Sequence, residues 1–239
     1  MNETSRLLVL DTATETLHLG LCDGERTWLR ALPGGAQSSS ALLPGLLALL
    51  AEAGLTLREL DAIGYGRGPG AFTGVRAACA VTQGLAFGAE RPVLALDTLM
   101  AVAEDARLQG ADPELWVAVD ARIGEAYGAR YRWADGGWQT LVAPVLADPQ
   151  ALAVRVAADP ASPQIAGNSL LAHAQAWAAL PGPRWPDSAP RAGALLALAR
   201  AAWARGERLD AAQALPLYVR DKVAQTSAER AAAALEAAA

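Results

Sequence analysis

Residues 64–76, Gly-Tyr-Gly-Arg-Gly-Pro-Gly-Ala-Phe-Thr-Gly-Val-Arg, constrain this chain more than any other stretch. Five glycines in thirteen residues demand backbone angles or close approaches that a side chain would block. Pro69 stiffens the turn between Gly68 and Gly70. An apolar segment precedes the stretch, and the small-residue-rich segment 72–88 with helical apolar spacing follows it. The reading is strand, tight turn, helix, with a helix N-terminus presented at the end of a sheet strand. Such an end binds anions through free N–H groups, or is only a turn that packs a helix tightly on a sheet. The packing turn is favoured, because the stretch lacks the Gly-Lys-Ser/Thr ending of a phosphate loop. Arg67 and Arg76 flank it as anion holders or as surface ion-pair partners.

The segments around this turn form a repeated order. Residues 7–11, Leu-Leu-Val-Leu-Asp, read as a buried strand ending on a carboxylate. Leu17, Leu19 and Leu21 alternate with His18, Gly20 and Cys22, which predicts a half-buried strand. Asp23-Gly24 signals a hairpin into a third strand near 27–31. A helix to about Ala53 follows, with N-cap serines at 38–40 and Gly54 closing it, and Pro44 requires a late start or a kink. A strand over 60–66, the helix over 72–88, a strand over 93–96 and a helix over 97–108 complete the unit. Residues 116–120, Trp-Val-Ala-Val-Asp, then echo the first strand. Strands near 125–133, 138–142 and 164–166 and helices near 150–158, 169–179 and 191–205 follow. The fold class expected is α/β: a duplicated actin-like fold of ribonuclease H-like halves, with mixed sheets flanked by helices. The lobes are placed at 1–109 and 110–225, with part of the C-terminal segment packing back on the first. Residues 226–239 form an alanine-rich tail.

The helix after the third strand carries Leu42, Leu43, Leu46, Leu47, Leu49 and Leu50, and only Glu52 is charged. A surface helix confines its apolar stripe to one side, so these leucines predict a second buried face. That face is covered either by another chain or by the protein itself, and the residues alone weigh the two equally.

Asp11 and Asp120 end equivalent strands. In an actin-like ATPase two such aspartates face a nucleotide and its magnesium, with glycine-rich turns wrapping the phosphates. Here Thr12-Ala13-Thr14 follows Asp11, and Gly124 arrives late after Asp120. A vestigial site is favoured, with Asp11, Thr12, Arg67, Gly70, Arg76, Asp120, Arg122 and Glu125 as nucleotide-site or interlobe candidates. Arg122 and Glu125 read as a ligand-facing edge or as an ordinary ion pair in a turn. The two histidines lie in different units without a zinc-ligand pattern. Neither pairs in sequence with a nucleophile, and Cys79 reads as packing.

The net charge is −5, and the arginines are scattered. A stand-alone nucleic-acid binder needs a basic stripe, so that class is the weakest. The N-terminus has no signal-peptide pattern, no segment is long enough for a membrane helix, and two cysteines make no disulfide framework. A cytoplasmic protein without a membrane partner is expected.

The stretches 10–15 (LDTATE), 66–76 (GRGPGAFTGVR), 83–86 (QGLA), 120–127 (DARIGEAY) and 216–220 (PLYVR) resemble the TsaB (YeaZ) family. These are bacterial subunits of tRNA threonylcarbamoyladenosine biosynthesis. The likeness runs from Leu7 to about Val223. It implies an actin-like fold with a degenerate nucleotide site and no catalysis by this chain. It implies TsaD and TsaE as partners, a homodimer in the absence of TsaD, and tRNA reached only through the complex. It further implies that ATP and metal are used by the partners and none is bound tightly by this chain alone. Family dimerisation through the first two helices points to Leu42, Leu43, Leu46, Leu47, Leu50, Val75, Ala78, Cys79 and Thr82. Family members often carry a histidine where this chain has Ser38, and TsaD binds metal through two histidines in this helix. No metal residues are therefore assigned. The rival reading is an independent actin-like ATPase or small-molecule kinase built on Asp11 and Asp120.

Overall fold

The computed structural model describes residues 5–35, 38–159 and 164–219; the tail over 226–239 and Arg220 lie outside these. The first unit runs β1 (Arg6–Asp11), β2 (Thr16–Asp23), β3 (Arg26–Pro33), α1 (Ser38–Ala53), β4 (Ala62–Gly66), α2 (Phe72–Ala89), β5 (Val93–Leu96) and α3 (Thr98–Leu108). The second runs β6 (Glu114–Arg122), β7 (Glu125–Ala134), β8 (Gly137–Ala147), α4 (Pro149–Ala157), β9 (Gln164–Ala166), α5 (Ser169–Ala172), α6 (Ala174–Trp177), β10 (Arg184–Trp185) and α7 (Ala192–Ala204). The sheets have orders β3-β2-β1-β4-β5 and β8-β7-β6-β9-β10. In both, the first three strands meander antiparallel and the last two join parallel to the first. The echo of β1 in β6 is thus a duplication of the whole sheet.

Two helices start on a side-chain cap. Asp97 caps α3, its carboxylate accepting from the N–H groups of Leu99 and Met100, and Asp148 caps α4 in the same way. Gly54, at φ +70°, follows α1 in the left-handed region. Pro44 sits inside α1 rather than delaying its start. The stretch expected to be one helix over 169–179 is two four-residue helices that meet at His173, whose φ of −127° and ψ of 42° break the helical run.

Leu8, Leu10, Leu17, Leu19 and Leu21 pack with the leucines of α1 and with Ala78 and Cys79 of α2. On the other face Leu7, Val9 and Cys22 pack with Leu195, Leu196, Leu198 and Ala199 of α7. The half-buried reading of β2 is therefore corrected: His18 and Cys22 are also buried, because α7 returns to cover their face. Meanwhile α3 packs its Leu99, Val102, Ala103 and Ala106 against Leu115, Val117, Tyr127 and Tyr131 of the second sheet. The two sheets thus exchange a helix, and α3 and α7 contact each other between them. Residues 209–217 also lie on the first unit. Leu209 bridges Val93, Ala214 accepts from Cys79 and Gln83, and the N–H of Leu217 donates to the Arg67 carbonyl at 2.7 Å.

The nine residues assigned to a chain–chain contact divide sharply. Leu42, Leu46, Leu50, Val75, Ala78, Cys79 and Thr82 are each 6% exposed or less within the single chain. Their assignment to a contact surface is corrected, since the sheet and the opposing helix already bury them. Leu43 and Leu47 are exposed. The leucine excess of α1 thus resolves into one inward stripe and two outward residues.

Candidate functional site

The site lies where β1 and β6 end. Asp11 follows the apolar run of β1 and is fully buried. Its Oδ1 accepts the N–H of Ala13 at 2.7 Å, and its Oδ2 accepts the Thr98 hydroxyl at 2.7 Å. Burial raises its pKa from 3.8 to about 6, against the lowering by the Thr98 and Ala13 hydrogen bonds.

The glycine turn closes over this carboxylate. A Cβ on Gly66 would stand 1.7 Å from Asp11 Oδ2, and one on Gly74 would stand 1.9 Å from the Thr12 carbonyl oxygen. Thr12 donates its hydroxyl to the Gly74 carbonyl at 2.6 Å. Ala71 N–H donates to Ala13, and Gly68 N–H to the Thr98 hydroxyl at 3.1 Å. The N–H groups of Ala13, Gly68 and Ala71 are thus directed to internal partners, and the turn works as a packing device between β1 and α2.

Asp120, at the end of β6, stands differently. Its side chain retains 15% exposure. Its Oδ1 accepts from Arg122 N–H at 3.0 Å and lies 3.1 Å from His173 Nε2, while Asn168 Oδ1 accepts its N–H at 2.9 Å. Arg122 reaches across the lobes to pair with Glu15 and lies 3.7 Å from Asp120. Glu15, Asp120, Arg122 and Asn168 line a cleft of about 300 Å³ together with Gly70 and Ala71, and His173 lies outside that lining. An apolar recess of about 170 Å³ adjoins it, sharing Gly70, Ala71, Ala121 and Arg122 and adding Phe72, Ile123 and Tyr218. Arg122 and Ile123 have φ of 66° and 53°, and Ile123 is 80% exposed. A β-branched residue in that region carries strain of the kind concentrated at functional edges.

Of the eight nucleotide-site or interlobe candidates, Gly70, Asp120 and Arg122 share this cleft. Asp11 and Thr12 lie buried beneath it. Glu125 pairs in register with Arg122 across the β6–β7 turn, but the interlobe ion pair of Arg122 is with Glu15. Arg76 instead stacks on Phe72, 3.7 Å from the ring centroid, and donates to the Tyr218 hydroxyl at 2.7 Å. Arg67 belongs to a separate cavity. Sequence reasoning missed Glu15, Asn168, His173 and Tyr218. The only usable signal for Asn168 and His173 was the duplication, which sets β9 beside β6 and so brings residues 167–173 to the end of β6.

Chemically, Asp11 has both oxygens engaged, and the cleft sets Arg122 against Glu15 and Asp120, with the His173 ring on Asp120 from outside the cleft. Each thiol donates to a backbone carbonyl, Cys22 to Ser5 and Cys79 to Ala214. Burial raises both thiols, the reverse of an activated nucleophile. Among the described residues no group of three or more His, Cys, Asp or Glu could hold a metal ion, and no helix is long and apolar enough to cross a membrane.

Two sheets of equivalent strand order, each with an aspartate near the end of its first strand, define a two-lobed actin-like protein. The family model described as TsaD, tRNA N6-adenosine threonylcarbamoyltransferase, matches residues 34–238. The tRNA threonylcarbamoyladenosine biosynthesis protein TsaB of Escherichia coli (strain K12) is 30% identical over 92% of this chain and 96% of its own length. The solved structure of YeaZ from Pseudomonas aeruginosa aligns with a TM-score of 0.80 at 40% identity, covering 90% of this chain and all of that one. A Pseudomonas aeruginosa protein described as similar to peptidase YeaZ aligns with a TM-score of 0.83 at 38% identity, over 91% of this chain and all of that one. The chain belongs to the TsaB (YeaZ) family, within the wider family that the TsaD model defines.

Proposed function

We propose that this chain is a non-catalytic, activating subunit in the synthesis of threonylcarbamoyladenosine on tRNA. It pairs with TsaD, and TsaE joins the pair. Threonylcarbamoyl transfer to the adenosine beside the anticodon belongs to TsaD, which uses the metal. This chain needs no tightly bound cofactor of its own, reaches tRNA only through the complex, and works in the cytoplasm. The observation that carries the reading is the closed state of Asp11: the carboxylate that would face magnesium in an active relative is fully buried, with both oxygens engaged.

The pairing surface we assign is the outer face of α1 and α2, which pack against one another. Leu43 and Leu47 are 42% and 51% exposed, and Phe87 is 81% exposed. Ala80 and Gly84 are also exposed on α2, and nothing stands within 4 Å of a Cβ built on Gly84. Large apolar side chains beside small ones let another helix approach closely. The same face serves a homodimer when TsaD is absent.

The test is reconstituted tRNA modification with TsaC, TsaD, TsaE, ATP, threonine and bicarbonate, run with and without this chain. Product is expected only when the chain is present, and none from the chain alone. Equal product without it would overturn the reading, and ATP turnover by the isolated chain that is lost in Asp11→Asn would establish an independent ATPase.

A further inference from the structure

A second cavity between the lobes, of about 240 Å³, shares no lining residue with the cleft. Arg67 reaches into it from the residue after β4. The backbone of Arg67 is fixed on both sides: its N–H donates to Leu96 at 2.8 Å, and its carbonyl accepts from Leu217. Its guanidinium Nε is buried and has no hydrogen-bond partner among the described residues. Buried polar atoms are nearly always paired, and an arginine donor left bare calls for an explanation.

Asp97 attracts Arg67 through space without satisfying it. The Oδ1 of Asp97 accepts from Leu99 and Met100, and its Oδ2 accepts the Tyr131 hydroxyl at 3.1 Å. The lining is also aromatic. Trp133 and Trp138 meet edge to face at 5.5 Å between ring centroids. Each is held by a polar group, Trp138 Nε1 by Glu104 at 2.9 Å and the Trp133 ring by the Arg107 guanidinium at 4.4 Å. Arg205, also on the lining, is bonded to Glu207 at 2.6 Å.

We propose that this cavity binds a small planar monocarboxylate, with its carboxylate on Arg67 and its apolar face against Trp133 and Trp138. With Nε closed to the cavity, the guanidinium meets a carboxylate through its Nη groups, and indole rings take a flat apolar group. The nearby carboxylates of Asp97 and Glu207 set a limit on added negative charge, which favours a monoanion over phosphate. The volume, about that of eight waters, admits a single-ring acid.

The full chain is titrated with benzoate and, separately at matched ionic strength, with inorganic phosphate, by calorimetry and saturation-transfer NMR. Benzoate is expected to saturate, and phosphate is not. Arg67→Gln is expected to weaken benzoate binding by about tenfold or more. Ala201→Leu, which keeps the guanidinium and fills the cavity, is expected to do the same and decides the matter should Arg67→Gln fail to fold. Absence of saturation by benzoate would make this a water-filled cavity and overturn the proposal. So would variants that bind as the parent does, or phosphate that competes as well as benzoate.

Discussion

Asp11 and His18 stand opposite one another in the β1–β2 register, and both are buried. Burial drives their titrations in opposite directions. Asp11 is raised from 3.8 to about 6, chiefly by burial. His18 is lowered from 6.5 to about 4, by burial first and the charge of Arg191 second. The folded state therefore holds the Asp11 proton more tightly than the unfolded state does. That contribution is present below pH 3.8 and is lost as pH rises through about 6. For His18 the unfolded state binds the proton better, so its contribution is present above pH 6.5 and is lost as pH falls through about 4. Each shift corresponds to about 3 kcal/mol, and the two slopes oppose each other over the same window. The parent's unfolding free energy, as far as these groups set it, is then nearly flat from pH 4 to 7. Asp11→Asn should leave the histidine slope alone, gaining up to about 3 kcal/mol relative to the parent between pH 4 and 7. His18→Gln should show the opposite trend. Urea unfolding across this range measures both, and variants that run parallel to the parent would refute the assignment.

At the scale of elements, α2 separates two uses of glycine. Gly74 is buried, and an added Cβ would meet the Thr12 carbonyl at 1.9 Å. Gly84, ten residues on, has open space. Gly74→Ala should destabilise by about 2 kcal/mol or more, since backbone must move. Gly84→Ala should stabilise the isolated chain by about 0.5–1 kcal/mol through helix propensity. Thermal and urea unfolding of the two variants tests the contrast, and equal effects would remove the packing role given to the turn. The sequence displays glycines in both places, and only the neighbour across the fold distinguishes them. The same limit governs the rest. β5 was legible to the residue because four apolar residues lie between a proline and an aspartate cap. β10 was not, being two residues between Pro183 and Pro186 with no room for alternation. The second burial of β2 was hidden because its cover, α7, arrives some 170 residues later. The meeting of Asp120 and His173 spans 53 residues, and no local spacing encodes it. The strand-end aspartates and the glycine turn were legible because their chemistry is written in adjacent residues.

At the scale of the whole molecule, the exchange of α3 and α7 ties the two sheets together, whereas the outer face of α1 and α2 is left to solvent. That asymmetry sets how the proposed pairing is tested. Substituting Leu46 or Leu50 would probe the core, since both are buried within the chain, and each contributes about 1.5–3 kcal/mol by burial alone. Loss of pairing in such a variant would report unfolding. Leu43→Asp with Leu47→Asp changes the outer face and leaves the inward stripe of Leu42, Leu46, Leu49 and Leu50 intact. The double variant should keep its helical circular dichroism and melt within a few degrees of the parent, because exposed helix substitutions shift stability little. Its association with TsaD, followed by sedimentation or calorimetry, should fall by at least about a hundredfold. That is the scale of two anchoring leucines that each contribute about 1.5–3 kcal/mol when buried against a partner. Threonylcarbamoyladenosine formation in the reconstituted reaction should fall with it and recover as the variant concentration is raised, because the defect is one of affinity. A folded double variant that pairs and activates as the parent does would move the contact elsewhere on the chain. A variant that pairs normally but fails to activate would separate docking from activation and redirect attention to the cleft of Glu15, Asp120 and Arg122.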